Sequence, residues 1–120
     1  MEKYSIGEFE EVVMLTVAVL NNKAYGVAIQ VEIEERLKRK VSMGAMRTAL
    51  KRLEDKGYLE SEFGEPTAER GGKRKRYYKV TLYGKKALDH VMHTRIKLWE
   101  AIPKMAFEFA TAAGMSPKDR

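Results

Sequence analysis

Arg47 and Lys51 stand four residues apart with Thr48 between them in VSMGAMRTALKRLEDKGYL, and a second run, ERGGKRKR, gathers Arg70, Lys73, Arg74 and Arg76. Guanidinium and ammonium groups are donors suited to phosphate, and guanidinium also reads guanine edges through paired hydrogen bonds. The chemistry on offer is recognition of a polyanion, with no bond made or broken. No Ser/His/Asp grouping or carboxylate pair falls at a catalytic spacing, so no catalytic residue is assigned and the chain is not expected to be an enzyme. His90 and His93 lie at i and i+3, but two imidazoles without a third ligand do not make a metal site, and Cys is absent. No metal and no cofactor are expected. Gly71 and Gly72 read as turn residues, because neither a helix start nor the spacing of a phosphate-binding loop follows them.

The distribution of charge sharpens this reading. The 120 residues carry 23 Lys+Arg against 17 Asp+Glu, a formal net charge of +6. Residues 1–37 sum to −4, residues 38–56 to +5 and residues 65–80 to +4. Two basic stretches therefore follow an acidic start, and such patches attract nucleic acid through long-range field. Apolar residues at 44% can build a core, and charged residues at 33% cover the outside. No apolar run approaches the roughly 18 residues of a membrane span, and MEKYSIGEFEE lacks the features of a secretory signal, so a cytoplasmic location is expected.

The basic groups need elements to hold them. Phe9, Val12, Val13, Thr16, Val17 and Leu20 trace one face of a helix from about 6 to 21, with Ser5 and Glu8 spaced as a capping box. Val27, Ile29, Val31 and Ile33 alternate like a strand, but Tyr25, Ile29, Ile33 and Leu37 fit a helical stripe, predicting a second helix over about 25–38. Ser42 caps a third helix over about 43–56, and Gly57 stops it. Tyr58 to Glu65 and Lys75 to Thr81 are β-prone arms of a hairpin whose long tip is basic. Thr81 caps a last helix over about 82–111, which Pro103 kinks or breaks. The fold class is mainly α with a small β-hairpin: a winged helix-turn-helix over 1–81, then a C-terminal helix and tail over 82–120. A B-form major groove admits one α-helix, and a basic β-loop beside it reaches flanking phosphates. Ser42, Arg47, Thr48, Lys51 and Arg52 on the third helix, with Arg70, Lys73, Arg74 and Arg76 on the wing, are the candidate DNA contacts.

GEPTAERGGKRKRYYKVTLYGKKAL over 64–88, supported by GEFEEVVMLTVAVL, AYGVAIQVEIEERL and VSMGAMRTALKRLEDKGYLES, resembles the PadR-like winged-helix transcriptional regulators. The resemblance spans most of residues 5–88. It implies a homodimeric repressor on a pseudo-palindromic operator, of the smaller subfamily with one C-terminal dimerisation helix. Leu88, Val91, Leu98, Trp99 and Ile102 are then the candidate dimer contacts. Some multidrug-sensing relatives stack planar ligands on a Trp of this helix, which makes Trp99 a candidate site for a small hydrophobic effector. Two residues depart from the pattern: Arg47 stands where many relatives carry Tyr, and Pro103 interrupts the dimer helix. A protein–protein adaptor and an architectural DNA binder without sequence preference remain the alternatives.

Overall fold

The computed structural model describes residues 3–65 and 74–109, in the order α1 (Glu8–Leu20), α2 (Gly26–Leu37), α3 (Met43–Asp55), β1 (Leu59–Phe63), β2 (Arg76–Val80) and α4 (Leu82–Ala101), followed by a 3₁₀ turn at Lys104–Phe107. It divides into two compact units, Met1–His90 and Val91–Arg120. In the first, Val13, Met14 and Val17 of α1, Ile29 and Ile33 of α2, Met46, Leu50 and Leu53 of α3 and Leu59 of β1 close one apolar core. Ala87 and Leu88 join it, so the first turns of α4 pack with the winged helix-turn-helix.

Local chemistry explains the helix ends. Ser42 Oγ accepts from Ala45 N–H at 3.1 Å, the cap expected for α3. At the other end Gly57 takes φ +81°, which lets Gly57 N–H reach Glu54 O at 3.0 Å and Tyr58 N–H reach Leu53 O at 2.9 Å. These two hydrogen bonds satisfy two orphan carbonyls and turn the chain into β1. Thr81 Oγ1 accepts from Gly84 N–H at 3.0 Å and caps α4, while its hydroxyl donates to Gly57 O at 2.6 Å.

Two sequence expectations shift. Helix α1 starts at Glu8 behind Gly7, not near residue 6, because Ser5 is held elsewhere: its N–H donates to the Tyr58 hydroxyl and its carbonyl accepts from Lys56 Nζ. Glu10, not Glu8, reaches back to the cap, accepting from Gly7 N–H at 2.8 Å. Helix α4 ends at Ala101, ten residues short of the expected 111. Pro103 cannot supply an N–H and clashes with the preceding turn, so the chain leaves the helix and resumes as a 3₁₀ turn.

β1 and β2 pair antiparallel with Leu59 opposite Val80, Ser61 opposite Tyr78 and Phe63 opposite Arg76. Tyr78 N–H also donates to Ala24 O at 2.8 Å, and Tyr25 bridges Tyr77, so the start of α2 lies along the hairpin. Tyr77 and Tyr78 are both half-buried, and Tyr77 packs edge-on against Tyr25 at 5.7 Å.

The Glu10 carboxylate is almost buried, at 11% exposure, and pairs with Lys56 Nζ at 2.8 Å. Burial alone would raise its pKa, but the Gly7 N–H and Lys56 outweigh it and hold the group below the ordinary value. A carboxyl depressed on folding contributes stability above its unfolded pKa and loses it as pH falls through the folded one. Glu10→Gln is thus expected to cost about 1.5–3 kcal/mol at neutral pH. Chemical denaturation of both proteins at pH 7 and near pH 3 checks this, since the difference should shrink at the lower pH.

Candidate nucleic-acid interface

With about 3.6 residues per turn, the buried Met46, Ala49, Leu50 and Leu53 define the core side of α3, and Gly44, Thr48, Lys51 and Asp55 fall opposite them. Arg47 and Arg52 flank that outward stripe on either side. Arg47, Thr48, Lys51 and Arg52 are all exposed. Among the described residues no hydrogen bond or ion pair holds the Arg47 guanidinium. Lys51 makes only an exposed pair with Asp55 at 3.4 Å, worth at most about 1 kcal/mol and readily exchanged for phosphate. The first turn of α3 carries no acidic residue, so the helix N-terminus and Arg47 present one positive end.

Arg52 is placed differently. It lines an open groove between the start of α1 and α3, of roughly 890 Å³, together with Phe9, Glu10 and Thr48. There its charge helps hold down the Glu10 pKa, so part of its field is spent inside the molecule. The basic cluster before α3 is likewise partly committed: Arg39 forms a two-pronged pair with Glu8 at 2.8 and 3.1 Å and lies over the Phe9 ring. Lys38 and Lys40 are exposed on the same turn, Lys38 in the left-handed region at φ 53°. Neither was singled out from the sequence, although the charge count over 38–56 included both.

On the wing, Arg74 is exposed at the edge of the described hairpin, while Arg70 and Lys73 lie outside the described residues. Arg76 is engaged within the fold. Its Nε donates to Ser61 Oγ at 2.8 Å, its guanidinium reaches Glu54 at 3.7 Å, and it lies over the Phe63 ring at 5.0 Å. The cause is the two-residue period of the strand, which puts Arg76 on the hairpin face of Tyr78 and Val80.

Gly44 adds a feature that charge counting misses. A Cβ built there meets nothing within 4 Å, so the fold has no steric need of glycine on this outward stripe. Glycine inside a helix costs about 1 kcal/mol relative to alanine, whereas it lets another backbone come close.

The candidate dimer contacts divide. Leu88 is only 6% exposed and packs in the core of the first unit. In the second unit Val91 and Ile102 are half-buried, while Leu98 and Trp99 are 67% and 69% exposed. The Trp99 ring faces Phe107 at 6.2 Å, and Phe107 faces Phe109 at 6.5 Å. Ile96, Met105, Phe107 and Phe109 are exposed as well. Among the described residues no group of His, Cys, Asp and Glu is arranged to hold a metal, and no helix is long and apolar enough to cross a membrane.

A family model described as the transcriptional regulator PadR-like family matches residues 14–90. Among solved structures the chain is similar to a PadR-like transcription factor from Bacteroides fragilis, at 27% identity over 77% of this chain and 84% of that one, with TM-score 0.64. It is similar also to a PadR family regulator from Clostridium difficile R20291, at 26% identity over 77% and 92% of the two chains, with TM-score 0.58. A third, from Eggerthella lenta DSM 2243, shares 25% identity over 85% and 88%, with TM-score 0.64. No curated protein matches the chain.

Proposed function

The chain belongs to the PadR-like family of transcriptional regulators, and from that premise we propose that it acts as a homodimeric repressor, with α3 in the major groove of a pseudo-palindromic operator. The observation that carries this reading is the exposed row of Arg47, Thr48 and Lys51 on a helix whose acid-free N-terminus is capped by Ser42. Phosphate contacts from Lys51, Arg74 and the wing position the protein, and Arg47 has the geometry to read a guanine edge. Two-fold symmetry sets the half-sites about one helical turn apart.

Dimerisation is supported by the apolar residues that the second unit leaves in water. Ile96 and Trp99 stand at i and i+3 on α4 with Leu98 exposed beside them, and a Trp two-thirds exposed among apolar neighbours is a typical interface anchor. The row Trp99, Phe107, Phe109 also favours a planar hydrophobic effector that relieves repression by binding one inter-subunit geometry better than another. Quenching of the single Trp by such compounds, with loss of operator binding, is the expected result.

Selection of bound fragments from a genomic DNA pool at fixed salt tests the main reading. Enrichment of an inverted repeat supports it; equal recovery of scrambled duplex favours a binder without sequence preference. Gly44→Ala provides a second check. Thermal melting should show a protein as stable or up to about 1 kcal/mol more stable, while the added methyl weakens operator binding severalfold.

A further inference from the structure

We propose that Arg76, Ser61 and Glu54 form a clamp that fixes the wing against the recognition helix, so that Arg76 is a positioning residue and not a DNA contact. The inference rests on the DNA-binding reading for its functional consequence, though not for its geometry.

Proton accounting gives the clamp a direction. A serine hydroxyl has one hydrogen, and Ser61 Oγ lies 2.6 Å from Glu54 Oε2, which accepts only. That hydrogen is therefore donated to Glu54, and the Ser61 lone pair receives Arg76 Nε–H at 2.8 Å. The relay runs from β2 through β1 to the C-terminal turn of α3, and the Arg76 guanidinium closes it at 3.7 Å from Glu54. Phe63, directly across the ladder from Arg76, supplies a ring beneath the guanidinium. A side chain held by a hydroxyl, a carboxylate and an aromatic face is restricted in orientation.

The clamp sits where it matters. Arg76 is the first residue of β2, where the hairpin emerges from the basic tip, and Glu54 lies in the last turn of the helix that carries Arg47 and Lys51. The tip and α3 must meet one duplex together, so their separation must be held within narrow bounds.

Ser61→Ala and Arg76→Gln test the proposal. Ser61→Ala changes no charge, and removing the relay should weaken operator binding about 2- to 10-fold with an unchanged salt dependence. Arg76→Gln should likewise keep the wild-type salt slope, whereas a phosphate contact would lower it by about 1 per protomer. A readout without DNA decides the geometry. The chain lacks Cys, so cysteines placed at Asp55 and Glu62 can carry a spin-label pair, in labelled protein diluted with unlabelled chain. A distance distribution that broadens on Ser61→Ala supports the clamp. An unchanged distribution, or an Arg76→Gln slope that falls by about 1 per protomer, overturns it. If the wild type binds no duplex, the DNA reading fails, and the spin-label distances still decide the clamp.

Discussion

Arg47→Ala is expected to weaken operator binding by about 10²–10⁴, with no measurable loss of fold. A guanidinium on a base edge contributes about 1–3 kcal/mol of discrimination, and a symmetric dimer places it twice, so the effect multiplies. Its exposure and its position on the flank of the outward stripe leave the core untouched, and such surface changes usually move stability by less than about 0.5 kcal/mol. Arg47→Lys tells the roles apart: it restores binding if the contact is to phosphate and fails if two parallel donors on guanine are needed. Lys51→Ala should weaken all sequences alike and lower the salt slope by about 1 per protomer. Titration of labelled duplexes by fluorescence anisotropy, alongside thermal melts of each variant, reads both quantities.

Gly84→Ala is the second large effect, and it falls on stability. A Cβ at Gly84 would collide with the Tyr58 carbonyl oxygen and lie 3.0 Å from a Val80 methyl. The obstacle is backbone, and the carbonyl is fixed in place because it accepts Thr81 N–H at 3.0 Å. Tyr58 is itself buried, so neither β1 nor α4 can give way without opening the core. The cost is expected near the top of the overpacking range, about 3 kcal/mol, or a fall in Tm of roughly 10 °C or more. Calorimetry of the purified variant checks it; an unchanged Tm would mean that the close approach of α4 to the hairpin is wrong.

Features governed by short-range chemistry were legible in the sequence. Ser42, Gly57 and Thr81 mark helix ends because a hydroxyl or an absent Cβ solves a local backbone problem wherever it occurs. Met46, Leu50 and Leu53 were legible as core from their spacing alone. What sequence reading missed depends on distant partners. Ser5 and Glu8 have the spacing of a capping box, yet the Ser5 backbone answers to Tyr58 and Lys56, more than fifty residues on. Counting charges treated Arg39, Lys56 and Arg76 as available cations, and the fold spends each on Glu8, Glu10 or Glu54. Arg76 could have been flagged, since the strand period puts it on the face of Tyr78, but the serine and glutamate opposite it come from other elements. Leu88 packs in the core of the first unit, a placement set by side chains of α1 to α3 and β1 that no spacing within α4 reveals.

The central claim is that the outward face of α3 and the wing engage duplex DNA chiefly through phosphate. The most direct test is the affinity of the wild-type protein for its selected operator across ionic strength. If the dimer neutralises about 6–10 phosphates, binding should fall by about 10³–10⁵ between roughly 50 and 200 mM salt, with a shallower slope for Lys51→Ala. An affinity that does not change with salt, or a slope that Lys51→Ala leaves untouched, would contradict it.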